Sequence, residues 1–232
     1  MNGLDLPALV QLITTWALPV LVAITFHEAS HAYAAWRLGD DTAYLQGRVT
    51  ANPLKHIDLF GTIILPALLL LTRSGFLFGY AKPVPVNYRR LKHFRRDSAI
   101  IAFAGPAANI VLAFLSALLL HAVQFAPDWL ALWMKETLEN SVRLNVMLAV
   151  FNMFPLLPLD GGRVLGGLLP PALARPYYRT ERYGMVILIG LIFLLPMIGR
   201  QIGANLNILG WILGPASDYL LHLVATLTGH AD

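Results

Sequence analysis

The sequence predicts an all-α integral membrane protein: a polytopic helical bundle of five or six membrane segments, with a small β element near the active site. Three observations predict it. Of the 232 residues, 57% are hydrophobic and only 13% charged, about half the charge share of an ordinary soluble domain. Apolar runs of membrane length recur along almost the whole chain and leave no room for a separate soluble domain, so residues 1–232 read as a single membrane-embedded domain. Within the first of those runs sits "HEASH", two histidines and a glutamate where lipid-facing side chains belong, and ionisable groups at such depth usually carry function.

The first segment, residues 6–36, is roughly thirty residues long, more than a hydrocarbon core of about 30 Å requires at about 1.5 Å per residue. It has no basic n-region and no small-residue cleavage site, so it reads as a retained helix and not a signal peptide. Residues 37–58 are polar, with turn-prone Gly39-Asp40 and Asn52-Pro53 and an alternating, strand-like piece around 44–50. The apolar stretch 59–72 is short and carries Pro66 in its middle; it reads as re-entrant, with a membrane crossing as the alternative. Arg89, Arg90, Lys92, Arg95 and Arg96 form a basic cluster that belongs on the cytoplasmic side. Further apolar regions follow at about 98–123, 141–159, 183–198 and 202–227, the last two as a C-terminal helical hairpin over 183–227. The loop 124–140, with Asp128, Glu136 and Glu139 against Lys135, is expected outside, and the arginine-rich loop 161–182 inside.

Composition also excludes chemistries. The chain has no cysteine, which removes disulfides, thiolate ligands and a cysteine nucleophile. Its net charge of +4 arises from basic residues beside apolar segments, a pattern of membrane orientation; nucleic acid is not an expected partner.

His27 and His31 are four residues apart, so on a helix both rings leave one face at a spacing that holds a single divalent metal. Two imidazoles suit zinc, and a catalytic zinc takes three protein ligands with one open position. Glu28, beside them, has the chemistry of a general base. The candidate third ligand is Asp160 in "NMFPLLPLDGGR". It lies at the end of the 141–159 helix, about 29 Å from that helix's start, and His27 lies at a similar depth in the first segment. Pro155 and Pro158 break that helix and Gly161-Gly162 permits dihedrals other residues avoid, although "PLDGG" alone also reads as an ordinary turn.

"HEASH", "AGPAAN" at 104–109 and "NMFPLLPLDGGR" at 152–163, in that order, resemble the site-2 protease family of intramembrane zinc metalloproteases. "NPLKHIDLFGT" and "GYAKPVPVN" are similar to its compact prokaryotic branch. The resemblance covers roughly residues 1–165. It implies one zinc held by His27, His31 and Asp160, catalysis by Glu28, and transmembrane protein substrates cut within the lipid bilayer. Composition and compact size point to a prokaryotic cell membrane. The rival reading is an ion- or metal-transporting membrane protein using the same His/Glu/Asp cluster.

Supporting residues carry two readings each. The Asn152 amide is placed to bond a substrate carbonyl or its developing oxyanion, or else to serve as helix–helix glue. Gly105, Ala107 and Ala108 allow close helix approach, and Asn109 and Asn145 are assigned to packing. His56 and Asp58, in a polar loop, read as solvated loop residues or else as groups that influence access or hydrogen-bond the metal ligands. In "AKPVPVN", Pro83 and Pro85 remove donors from one edge of an extended strand and leave Lys82, Val84 and Val86 complete on the other. Val84 is therefore a candidate contact for an unwound substrate strand; a Pro-rich loop is the alternative.

Overall fold

A computed structural model describes residues 6–64 and 81–230. The described residues form eight helices: α1 (Leu6–Arg37), α2 (Thr42–Leu45), α3 (Phe94–Leu120), α4 (Asp128–Asn152), α5 (Asp160–Leu168), α6 (Pro171–Arg179), α7 (Glu181–Gln201) and α8 (Ile208–Leu227). Helix α7 contains a π-helical stretch at Gly190–Leu194. Short 3-10 turns lie at Pro53–Lys55 and Tyr88–Arg90.

Helix α3 is the centre of the bundle, packed against α1, α4, α5 and α8. Small side chains make this possible. Ala23, Ala32 and Ala35 on α1, and Ala102, Ala113 and Ala117 on α3, are buried, because lipid offers no hydrophobic drive and helices associate where small residues let backbones approach. One apolar cluster joins Ala113 and Ala117 to Val146 and Val150 of α4 and Val224 of α8. The opposite face of α3 exposes Phe103, Val111, Leu115 and Leu119, an outward apolar surface suited to acyl chains. The protein is an all-α membrane protein.

Among the described residues four helices are long and apolar enough to cross a bilayer: α1, α3, α7 and α8. That is fewer than the five or six segments expected. Helix α4 has sufficient length at 25 residues, but its first half carries Asp128, Lys135, Glu136 and Glu139. The expected outer loop 124–140 is thus largely helix, because its apolar residues recur at helical spacing and Pro127 precedes its first turn. Residues 59–64 form a π-helical turn, and the rest of the stretch expected to be re-entrant, 65–72, lies outside the described residues. The expected inner loop 161–182 holds α5 and α6.

No strand occurs among the described residues, so the expected β element is corrected. Around residues 44–50 the chain makes the helical turn α2, because the Asp40 carboxylate accepts from the Thr42 N–H and hydroxyl and Gly47 turns the chain at φ +64°. Residues 81–87 carry no regular secondary structure and are pinned by one main-chain bond and two side chains: Lys82 N–H donates to the His56 carbonyl (3.0 Å), Asn87 N–H to the Asp40 carboxylate (2.6 Å), and the Arg48 guanidinium to the Lys82 carbonyl (2.6 Å). The segment is a strap across the end of α1.

Candidate metal centre

Helix α1 sets His27 and His31 one turn apart, with rings edge to face and centroids 4.6 Å apart. Their Nε2 atoms lie 3.1 Å from each other. Asp160 Oδ2 completes a triangle, 3.2 Å from His27 Nε2 and 3.4 Å from His31 Nε2. The three sequence-distant residues are brought together and nearly buried.

Local chemistry explains how Asp160 arrives there. It is the first residue of α5 and not the last of the preceding helix, as expected; α4 ends at Asn152 and residues 153–159 turn the chain. The α5 dipole favours a carboxylate at that end. Gly161 and Gly162 also act differently from expectation. Both are helical, and what they provide is space: a Cβ on Gly161 would sit 2.7 Å from Met153 Cα, and one on Gly162 2.6 Å from the Leu156 carbonyl carbon. The turn folds back tightly on the helix it starts.

His31 Nδ1 lies 2.7 Å from the Ile101 carbonyl and His27 Nδ1 lies 2.6 Å from Asn109 Oδ1. A main-chain carbonyl only accepts, so His31 Nδ1 carries the hydrogen. The Asn109 amide nitrogen faces the Ala23 carbonyl at 3.3 Å, which leaves Oδ1 as acceptor and puts the hydrogen on His27 Nδ1 as well. Both Nε2 atoms therefore present lone pairs to each other and to Asp160 Oδ2, a buried oxygen that has no hydrogen-bond partner. Three convergent acceptors repel unless a cation lies among them. Tetrahedral zinc with bonds of about 2.0–2.1 Å separates its ligands by about 3.3 Å, and the observed 3.1, 3.2 and 3.4 Å match. The residues fit the metal.

Glu28 lines a cavity of about 490 Å³ together with His27, His31 and Asp160. Its Oε2 accepts from the Val84 N–H at 3.0 Å, which ties the strap to the residue beside the metal centre. Val84 and Asn152 line the same cavity. One hydrogen of the Asn152 amide goes to the Leu148 carbonyl (3.0 Å), so an amide of two hydrogens retains a second. Opposite, Arg163 pairs with Glu181 at 2.6 Å and lies over the Tyr88 ring, 5.1 Å from its centroid. Burial pushes the Tyr88 phenol up, against the pull of Arg163, so it stays neutral.

Three features escaped sequence reasoning. Asn109 bonds a histidine rather than only filling a helix interface; its signal was the spacing of four from Gly105, which puts both on the α3 face toward α1. At Gly105 the close approach is to the histidine rings themselves: a Cβ there would lie 2.6 Å from His31 Cε1 and 2.7 Å from His27 Cε1. His56 is fully buried, not solvated, and its Nε2 bonds the Thr50 carbonyl at 2.9 Å. Burial holds His56 below its ordinary value of 6.5, with the Thr50 bond opposing and the nearby Arg48 charge assisting. Asp58 accepts from the Gly61 N–H at 2.7 Å.

Comparison with known proteins points to zinc. The chain is 38% identical to YwhC of Bacillus subtilis, named as a candidate zinc metalloprotease, over 81% of this chain and 84% of that one. It is 29% identical to Rip2 of Mycobacterium tuberculosis over 88% of this chain and 71% of that one, and 30% identical to Rip2 of Mycolicibacterium smegmatis over 78% and 66%; both carry the same description. No family model matches the chain, and no solved structure matches it. With the ordered motifs and a relative this similar over most of its length, the chain belongs to the site-2 protease family of zinc metalloproteases.

Proposed function

We propose that the chain is an intramembrane zinc endopeptidase that hydrolyses peptide bonds in or near transmembrane segments of membrane-protein substrates. The observation that carries this reading is the convergence of His27 Nε2, His31 Nε2 and Asp160 Oδ2 beside Glu28 on one cavity. His27, His31 and Asp160 would hold one zinc per chain, and when bound it supplies Lewis-acid activation of water and of a carbonyl. Glu28 takes a proton from the attacking water and returns it to the leaving amide nitrogen. The second Asn152 amide hydrogen supports the developing oxyanion. The strap offers backbone groups, Val84 among them, to a substrate stretch that has lost its helical hydrogen bonds.

The bilayer setting is supported by position. His27 lies about 32 Å along α1, inside a helix whose flanks expose apolar side chains such as Val10, Ile13 and Phe26. On this reading the chain is one multi-pass domain of a prokaryotic cell membrane, surrounded by lipid, with α4 as a further crossing.

The test is zinc content and cleavage of a reconstituted transmembrane substrate by wild type, Asp160→Ala and Glu28→Gln. The expected results are one zinc in wild type, little in Asp160→Ala, and full zinc with about 10²–10⁴-fold slower cleavage in Glu28→Gln. Wild type without zinc, or Glu28→Gln cleaving at the normal rate, would overturn the reading.

A further inference from the structure

The two histidines of the centre are held by different kinds of acceptor. His31 Nδ1 donates to a main-chain carbonyl, that of Ile101, which no side-chain substitution removes. His27 Nδ1 depends on one side chain from another helix, Asn109 of α3. We propose that Asn109 is a positioning residue that fixes the tautomer and ring plane of His27, so that its acceptor oxygen sets the affinity of the centre for zinc. The inference rests on the zinc reading above.

The geometry behind it is a one-way hydrogen-bond chain through the helix interface. Asn109 Oδ1 accepts from His27; its Nδ2 donates to Ala23 O (3.3 Å) and to Asn145 Oδ1 (2.8 Å). Asn145 Nδ2 donates in turn to Ser141 O at 2.9 Å, and Ser141 meets Ser116 hydroxyl to hydroxyl at 2.8 Å. The carbonyls of Ala23 and Ser141 only accept, so each amide has a single permitted orientation. Asn109 and Asn145 are both fully buried, away from water that would compete for these bonds. Packing alone does not require this. An interface of small residues such as Ala113 and Ala117 closes without any amide, whereas a neutral imidazole whose Nε2 must stay unprotonated needs an acceptor at Nδ1. An amide oxygen supplies one without adding a second negative charge.

The test is zinc affinity, by competition with a chelator, of folded detergent-purified wild type, Asn109→Leu, Asn109→Asp and Asn145→Leu. Asn109→Leu, close in volume but without an acceptor, is expected to bind zinc about 10–100-fold more weakly. Asn109→Asp keeps an acceptor for His27 while turning an oxygen toward Ala23 O and Asn145 Oδ1. It is expected to bind zinc at least as tightly as wild type although its thermal stability falls. Asn145→Leu is expected to lose stability and keep its affinity, because Ala23 O still orients Asn109. A purely structural role predicts lower stability in all three variants with unchanged zinc affinity, and that result overturns the proposal. So does an Asn145→Leu that loses as much affinity as Asn109→Leu. Should Asn109→Leu not fold, Asn109→Asp decides: tight binding supports the proposal and tenfold weaker binding overturns it. Wild type that binds no zinc fails the zinc reading and this proposal with it; wild type that binds zinc beside an equally tight Asn109→Leu fails only the proposal.

Discussion

Replacing Gly105 by alanine adds one methyl group against the rings of both histidines. The new carbon would lie 2.6 Å from His31 Cε1 and 2.7 Å from His27 Cε1, where carbon atoms rest at about 3.5–4.0 Å. The rings, or α3 itself, must retreat by about 0.8 Å or more. Metal–ligand distances hold to about ±0.2 Å, so a retreat of this size spoils the triangle of donors. Overpacking of a filled interface costs about 1–3 kcal/mol, and if that strain is relieved by moving the rings, zinc binding weakens about 5- to 150-fold. Chelator competition reads the affinity directly. Thermal unfolding gives a second readout: zinc at a hundred times its wild-type Kd stabilises wild type by about 2.7 kcal/mol, and a variant binding 20-fold more weakly gains only about 1 kcal/mol at that concentration. Gly190→Ala is the control, because a Cβ there meets nothing within 4 Å. Wild-type zinc affinity in Gly105→Ala, with an undiminished gain in thermal stability, would refute the close-packed geometry from which this follows.

Other perturbations test the parts that position the centre. Gly184→Ala would put a Cβ 2.6 Å from the Leu157 carbonyl carbon, pushing α7 off the turn that delivers Asp160; a loss of about 1–3 kcal/mol in thermal or denaturant unfolding is expected. Asp40→Ala removes the acceptor of the Asn87 and Thr42 N–H groups, which is expected to destabilise by about 1–3 kcal/mol and to speed hydrogen exchange at Asn87; unchanged exchange would show that the strap has another anchor. His56 has a folded value depressed below 6.5, so above that pH both states are neutral, and below it the unfolded chain binds the extra proton. Its contribution to stability is therefore lost as pH falls below about 6.5, and His56→Gln should lack that part of the pH dependence of unfolding.

Much of the centre was legible in one dimension because its elements are local. A four-residue spacing of histidines on a helix specifies a shared face whatever surrounds it, and hydrophobic runs specify helices because a bilayer admits no unpaired backbone. Boundaries were less legible where side chains compete with the backbone. Asp40 captures Thr42 and turns an apparent strand into α2, and in the first half of α4 the charged residues mask a helical spacing, so that the sequence there resembles a loop.

Residue types and spacing alone marked a helical membrane protein and a histidine pair beside Glu28, and offered Asp160 as a candidate partner that the family resemblance then singled out. Tertiary structure decided what long-range contact alone can decide: that Asp160 opens a new helix at 3.2 Å from His27, that Glu28 holds the strap at Val84, and that Asn109 faces a histidine. Each of these joins segments separated by between 56 and 133 residues. No periodicity in the chain records such a pairing, because it depends on how closely small residues let three helices approach.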